Sequence, residues 1–103
     1  MNKRYRVLYL PLFERDLVSV IDYISQTLHN PAAANRLIDD VEQAVMSRSV
    51  NPQSFEPYPS TRRRKQLYYR IYIRNYTVLY TVIEDVMEIR RFVYSRRDIA
   101  GLL

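Results

Sequence analysis

The chain has no cysteine, no tryptophan, one glycine and one histidine among its 103 residues. Without cysteine it cannot form disulfide bonds or thiolate metal sites, and one histidine alone is too few ligands for a zinc site. The single glycine, Gly101, excludes a glycine-rich phosphate-binding loop. We therefore expect neither a metal nor any other cofactor.

Long apolar runs are also missing, and no stretch approaches the roughly 18 apolar residues of a membrane span. The N-terminus begins with basic and then apolar residues, as signal peptides do, but Glu14, Arg15 and Asp16 interrupt the apolar stretch too early. We expect a cytoplasmic protein without membrane contact. Its length predicts a single domain over residues 1–103, and a hydrophobic content of 48% is sufficient for a core.

Positive charge is concentrated in the second part of the chain. Residues 1–60 hold six Lys or Arg and seven Asp or Glu, whereas residues 61–103 hold ten and four. Such asymmetry indicates an anionic partner, either a nucleic acid or an acidic protein. The residues predicted to contact the target or a nucleic acid are Arg62, Arg63, Arg64, Lys65 and Arg70.

Apolar periodicity predicts one strand and two helices in the first half. Residues Arg4–Leu10 alternate, which is typical of a strand, and residues from Leu12 to about Leu28 repeat at helical spacing. A second helix is predicted to begin at Asn30 and Pro31, because Asn caps free N–H groups and Pro suits the first helical position. Its apolar face comprises Ala34, Leu37, Ile38, Val41, Ala44 and Val45.

Three further strands are predicted at Tyr68–Ile73, Tyr76–Ile83 and Val86–Tyr94, joined by tight turns into an antiparallel meander. Tyr76 and Tyr80 alternate with valines and are expected in the core.

The order of strand, two helices and three strands predicts an α+β fold. An antiparallel helical hairpin would pack on one face of an antiparallel sheet, which the C-terminal meander completes. We expect the other face to be open, with the basic loop at its rim.

Three groups of residues, taken in order, resemble the RelE/ParE superfamily of toxins. They are Tyr23-Ile24 followed by Asn30-Pro31 and three alanines, the strand Asn75–Val82, and Val93–Asp98 with the terminal Leu102-Leu103. Their order and spacing cover nearly the whole chain. The resemblance implies that an antitoxin, which we expect to be acidic, wraps the toxin with its C-terminal segment and neutralises it.

The superfamily divides by target. RelE-like members cleave messenger RNA in the ribosomal A site, whereas ParE-like members poison DNA gyrase. RelE-like enzymes carry an arginine directly after the tyrosine of a strand motif, and this chain has Thr77 there. A threonine hydroxyl is a poor substitute for a bidentate cation on a phosphate. We therefore favour inhibition of gyrase and keep metal-independent RNA cleavage as the alternative.

If the chain is a nuclease, the candidate catalytic residues are Arg74, Tyr94, Arg96 and Arg97. Tyr94 stands where some members have a histidine, and a phenol beside cations could transfer a proton. A third hypothesis, a plain nucleic-acid-binding module, lacks support because the sequence contains no recognition-helix pattern.

Overall fold

The computed structural model describes residues 4–59 and 66–103. The elements are β1 (Arg6–Tyr9), α1 (Pro11–Asp22), a π-helical turn (Tyr23–Thr27), α2 (Pro31–Arg48), β2 (Tyr69–Ile73), β3 (Tyr76–Ile83), β4 (Val86–Tyr94) and a 3₁₀ turn (Ala100–Leu102). The predicted order of elements is confirmed, and β3 and β4 have the predicted bounds. No helix in these two ranges is long and apolar enough to cross a membrane.

Proline begins both helices, where its missing N–H would be unpaired in any case. Before α2, the Asn30 side chain accepts a hydrogen bond from the Ala33 N–H at 3.1 Å, which confirms the predicted cap. A cap of this kind contributes about 1 kcal/mol. The first helix was predicted to continue to Leu28, but regular α-helix ends at Asp22. A π-helical turn follows, and Leu28 is exposed rather than part of the buried face.

The sheet has the strand order β1-β4-β3-β2. Strands β2, β3 and β4 form the predicted antiparallel meander, whereas β1 pairs with β4 in parallel. The sheet is therefore mixed, and the prediction of a wholly antiparallel sheet was wrong for β1. Alternation of apolar residues indicates which face of a strand is buried, but it carries no information about the direction of the neighbouring strand.

The main core lies between the helices and one face of the sheet. Phe13 of α1 and Leu37, Val41 and Val45 of α2 are fully buried. They pack with the sheet residues Tyr69, Ile71, Ile73, Val78, Tyr80, Met87, Ile89 and Phe92. Full burial of each large apolar side chain contributes about 1.5–3 kcal/mol, so this face supplies most of the stability.

The second face of the sheet is partly covered, contrary to the prediction that it would be open. Leu79 and Val93 are buried there under Ile99. Partly buried side chains complete this smaller cluster, namely Tyr58, Tyr68, Leu102 and Leu103. The C-terminal tail therefore covers apolar side chains that would otherwise face water.

A buried hydrogen-bonded group at Tyr80 joins α2, the loop after it and the sheet. The Tyr80 hydroxyl donates to the Pro52 carbonyl at 2.7 Å and accepts from Arg48 Nη1 at 2.9 Å. Arg48 Nη1 also donates to the Arg70 carbonyl at 3.1 Å. Burial raises the pKa of Tyr80, and the neighbouring Arg48 partly offsets this.

A carboxylate of α1 supports the outer edge of β4. Strand β1 pairs with β4 only as far as Ile89. Beyond that point the Asp16 carboxylate accepts hydrogen bonds from the Phe92 N–H at 3.0 Å and from Arg91 Nε at 2.7 Å. The Asp16 and Arg91 side chains are only 15% and 17% exposed. Asp16 thus replaces the missing strand neighbour and holds α1 on the sheet.

We expect Asp16→Ala to lower the free energy of unfolding by about 3 kcal/mol, because it leaves a nearly buried arginine and a backbone N–H unpaired. The matched control is Asp85→Ala, which removes an exposed pair with Arg6 and should cost less than about 1 kcal/mol. Urea denaturation of both variants measures the difference. Equal losses would contradict the assigned role of Asp16.

The raised pKa of Tyr80 predicts a loss of stability in alkali. As pH rises above the ordinary tyrosine value of 10.0, the unfolded chain loses this proton before the folded chain does, so the free energy of unfolding falls. Tyr80→Phe should cost about 1–3 kcal/mol at neutral pH and make the alkaline decline shallower. Urea denaturation at several pH values tests this, with the exposed Tyr72→Phe as control. A Tyr80→Phe decline as steep as that of the wild type would contradict the prediction.

Candidate target-binding surface

Two elements meet at the end of the sheet where β4 finishes. The turn between β2 and β3 consists of Arg74 and Asn75, and the Asn75 carbonyl accepts a hydrogen bond from the Ser95 N–H at 2.8 Å. This contact brings four of the predicted residues to one end of the sheet. They are Arg74, Tyr94, Arg96 and Arg97.

The three arginines at this end differ in their availability. Arg74 forms an ion pair with Asp40 of α2, so its charge is compensated within the fold. Arg96 and Arg97 are exposed. Within residues 4–59 and 66–103, no side-chain hydrogen bond or ion pair is formed by either. At this end of the sheet, these two guanidinium groups are therefore the described arginines that are available to a partner.

Tyrosines surround the same end on the helix side of the sheet. The Tyr94 ring lies 5.9 Å from the Tyr76 ring and is 44% exposed. Tyr76 also stacks on Phe92 at 5.0 Å. The pKa of Tyr76 is raised, mainly by partial burial and to a smaller extent by the neighbouring phenols of Tyr94 and Tyr23. A raised pKa makes Tyr76 a poor general base at neutral pH, and its role here is packing.

The resemblance to RelE-like nucleases implies that the residue at position 77 would be an arginine directed at the scissile phosphate. Here Thr77 is fully buried, and its hydroxyl lies 2.8 Å from the Ser95 hydroxyl. A side chain in this setting cannot contact a phosphate. The sequence pattern showed that the arginine is absent from position 77. It gave no indication that the Thr77 hydroxyl would form a hydrogen bond with the Ser95 hydroxyl.

Arg70 lies apart from this end, on the second face of the sheet. Its guanidinium carbon is 5.1 Å from the Tyr58 ring centroid and 5.6 Å from that of Tyr72. The basic run Arg62–Lys65 lies outside the described residues, so its contact with a target and its place at the rim of the sheet stay predictions. Sequence reasoning did not select Tyr72, although its two-residue spacing from Arg70 places both on one strand face.

No metal site accompanies these residues in the described part of the chain, where no three His, Asp or Glu side chains are grouped closely enough to hold an ion.

Comparison with known proteins gives a family and a fold. The family described as the ParE toxin of the type II toxin-antitoxin system, parDE, matches residues 7–99. A solved structure described as the chromosomal ParDE TA system from P. aeruginosa is similar with a TM-score of 0.71 and 14% identity. The likeness covers 88% of this chain and 96% of that chain, and it supports the same fold. No curated protein matches.

The family match begins in β1 and ends at Ile99, in the tail that covers the second face. It therefore includes the helical hairpin, all four strands and the two free arginines. The chain belongs to the ParE family, the toxins of type II toxin–antitoxin systems.

Proposed function

We propose that this toxin arrests growth by inhibiting DNA gyrase and that it does not cleave RNA. The observation that carries the proposal is the burial of Thr77 and its hydrogen bond to Ser95. The resemblance to RelE-like nucleases implies that a nuclease would carry a cation at that position. Loss of one such electrostatic group typically costs on the order of 100- to 1000-fold in rate.

Contact with the target is assigned to the end of the sheet that carries Tyr94, Arg96 and Arg97. The two arginines are exposed and have no partner in the described residues, and the tyrosine ring beside them is half-exposed. Tyrosine and arginine are enriched in the energetically dominant parts of protein interfaces. The cations Arg62, Arg63, Arg64 and Lys65 are proposed to add to this contact. Gyrase acts on chromosomal DNA, so we place the toxin in the cytoplasm.

A toxin of this family acts with a cognate antitoxin. We propose that the antitoxin is acidic and partly disordered when free, because the C-terminal part of the toxin carries the excess of positive charge. An acidic segment that folds on the toxin would neutralise Arg96 and Arg97, so it would compete with the target for the same cations.

One observation favours RNA cleavage as a second candidate function. Arg74, Tyr94, Arg96 and Arg97 meet at one end of the sheet, where two free guanidinium groups could stabilise a phosphorane without a metal. Arg74 would first have to leave Asp40. The two functions predict different products in the cell and can be separated directly.

We expect induction of the toxin to activate the DNA-damage response and to leave transcripts uncut, because Thr77 cannot hold a phosphate. In vitro, the purified chain should inhibit supercoiling by gyrase. Mapping of transcript 5′ ends after induction, with the damage response recorded in parallel, measures both outcomes. Abundant in-frame cuts that disappear in the Arg96→Ala/Arg97→Ala variant would establish the nuclease instead.

The Arg96→Ala/Arg97→Ala variant should need about tenfold more protein for half-inhibition of supercoiling, which corresponds to about 1.4 kcal/mol. Because both residues are exposed, its stability should change by less than about 0.5 kcal/mol. The defect should shrink as salt rises, since screening weakens the parent contact. The matched control is Arg15→Ala/Arg36→Ala, which removes two exposed cations from the helices. Equal loss in the control would show that only net charge matters.

A further inference from the structure

The second face of the sheet carries an arginine whose guanidinium group lies near two tyrosine rings. The Arg70 guanidinium lies 5.1 Å from the Tyr58 ring and 5.6 Å from the Tyr72 ring. Tyr58 belongs to the small cluster under the C-terminal tail, whereas Tyr72 is 63% exposed. Arg70 therefore has a neighbouring ring in the packed part of this face and a second neighbouring ring that is open to solvent.

The exposed ring of Tyr72 contributes little to the core. On the same strand, Tyr69 faces the helices and stacks on the buried Tyr80 at 5.3 Å, which is the ordinary structural use of a tyrosine in this sheet. Tyr72 points to the opposite face and has Arg70 as its neighbour. Proteins that bind single-stranded nucleic acid combine an exposed aromatic ring with neighbouring positive charge, and Tyr72 and Arg70 provide both.

Arg70 also differs from the other arginines held on the sheet. Arg90 lies over Tyr68 on this face, but it is paired with Glu88 at 3.1 Å. Arg91 is paired with Asp16 at 2.7 Å. Among the described residues Arg70 has no acidic partner, so its charge is available to an anion next to the open ring.

We propose that Tyr72 and Arg70 form a binding site for single-stranded nucleic acid. An unpaired base stacks on the exposed ring, and the guanidinium pairs with an adjacent phosphate. A duplex fits less well because its bases are already stacked on each other. An acidic peptide could use Arg70 but would leave the ring uncovered. The site adds a second class of ligand to the toxin and does not depend on gyrase being the target.

Stacking on a flat ring is tolerant of sequence, and no group of this pair is placed to distinguish ribose from deoxyribose. The site should accept both sugars, so the experiment uses a DNA and an RNA probe. Binding of both is expected. Binding of the DNA probe alone would indicate that the natural ligand of the site is DNA whose strands the target has separated. Binding of the RNA probe alone would indicate that the natural ligand is a transcript.

The test is a fluorescence-anisotropy titration of the purified full-length chain with labelled 15-mers of deoxythymidine and of uridine at low salt. Tyr72→Ala should weaken binding roughly 5- to 100-fold, whereas Tyr72→Phe, which keeps the ring, should stay within about twofold of the parent. Neither change alters the charge of the protein. Arg70→Gln should weaken binding and lower the slope of log affinity against log salt by about 0.7, the value for one phosphate.

The matched control is Tyr23→Ala, which removes a tyrosine of similar exposure, 54%, from the helix side of the sheet. It should bind as the parent does. Loss of binding equal to that of Tyr72→Ala would overturn the site, as would absence of binding to both probes. Polyglutamate of equal charge should displace the probe less readily than unlabelled oligonucleotide does. Equal displacement would overturn the proposal and indicate that this face binds an acidic protein. Because gyrase is absent from the assay, a negative result leaves the proposed target untouched.

Discussion

The buried hydroxyl of Tyr80 links the end of α2 and the loop after it to the sheet. After α2 the chain must cross to β2 at the far edge of the sheet, and long connections of this kind are costly to order. The hydroxyl holds Pro52 in the loop and Arg48 at the helix end, and Arg48 in turn holds the backbone of Arg70. Strand β2 is therefore held by its pairing with β3 and by Arg48, and β2 carries both Arg70 and Tyr72.

The scarcity of glycine places Arg74 in a tight turn, where it is paired with Asp40 and is less available to a partner. With one glycine in the chain, both hairpin turns use other residues in the left-handed region, namely Arg74 with φ of 55° and Glu84 with φ of 54°. Such a conformation costs roughly 1–2 kcal/mol per residue. At the first turn, the ion pair of Arg74 with Asp40 offsets part of this cost. Arg74 is thus used by the fold, and the free positive charge at this end is left to Arg96 and Arg97.

Local patterns in the sequence were sufficient for β3, β4 and the Asn30 cap, because alternation and capping involve residues close in the chain. They could not predict the parallel pairing of β1, the π-helical turn or the covered second face, which depend on contacts between distant segments. Asp16 looks like an ordinary solvated residue of a helix, yet its partners Arg91 and Phe92 lie more than 70 positions away. At the candidate site the sequence indicated the basic residues and the missing arginine, whereas the structure distinguished paired from unpaired cations.

The side chain at position 77 lies in a packed part of the second face of the sheet. An arginine at position 77 would have to reach solvent through the second face to meet a phosphate. Thr77 instead forms a hydrogen bond with Ser95, and Ile99 of the tail packs on the neighbouring Leu79 and Val93. This part of the second face is thereby used for packing. In the described part of the chain, this packing leaves Tyr72 at the edge of the sheet and Arg96 and Arg97 at its end exposed to a partner.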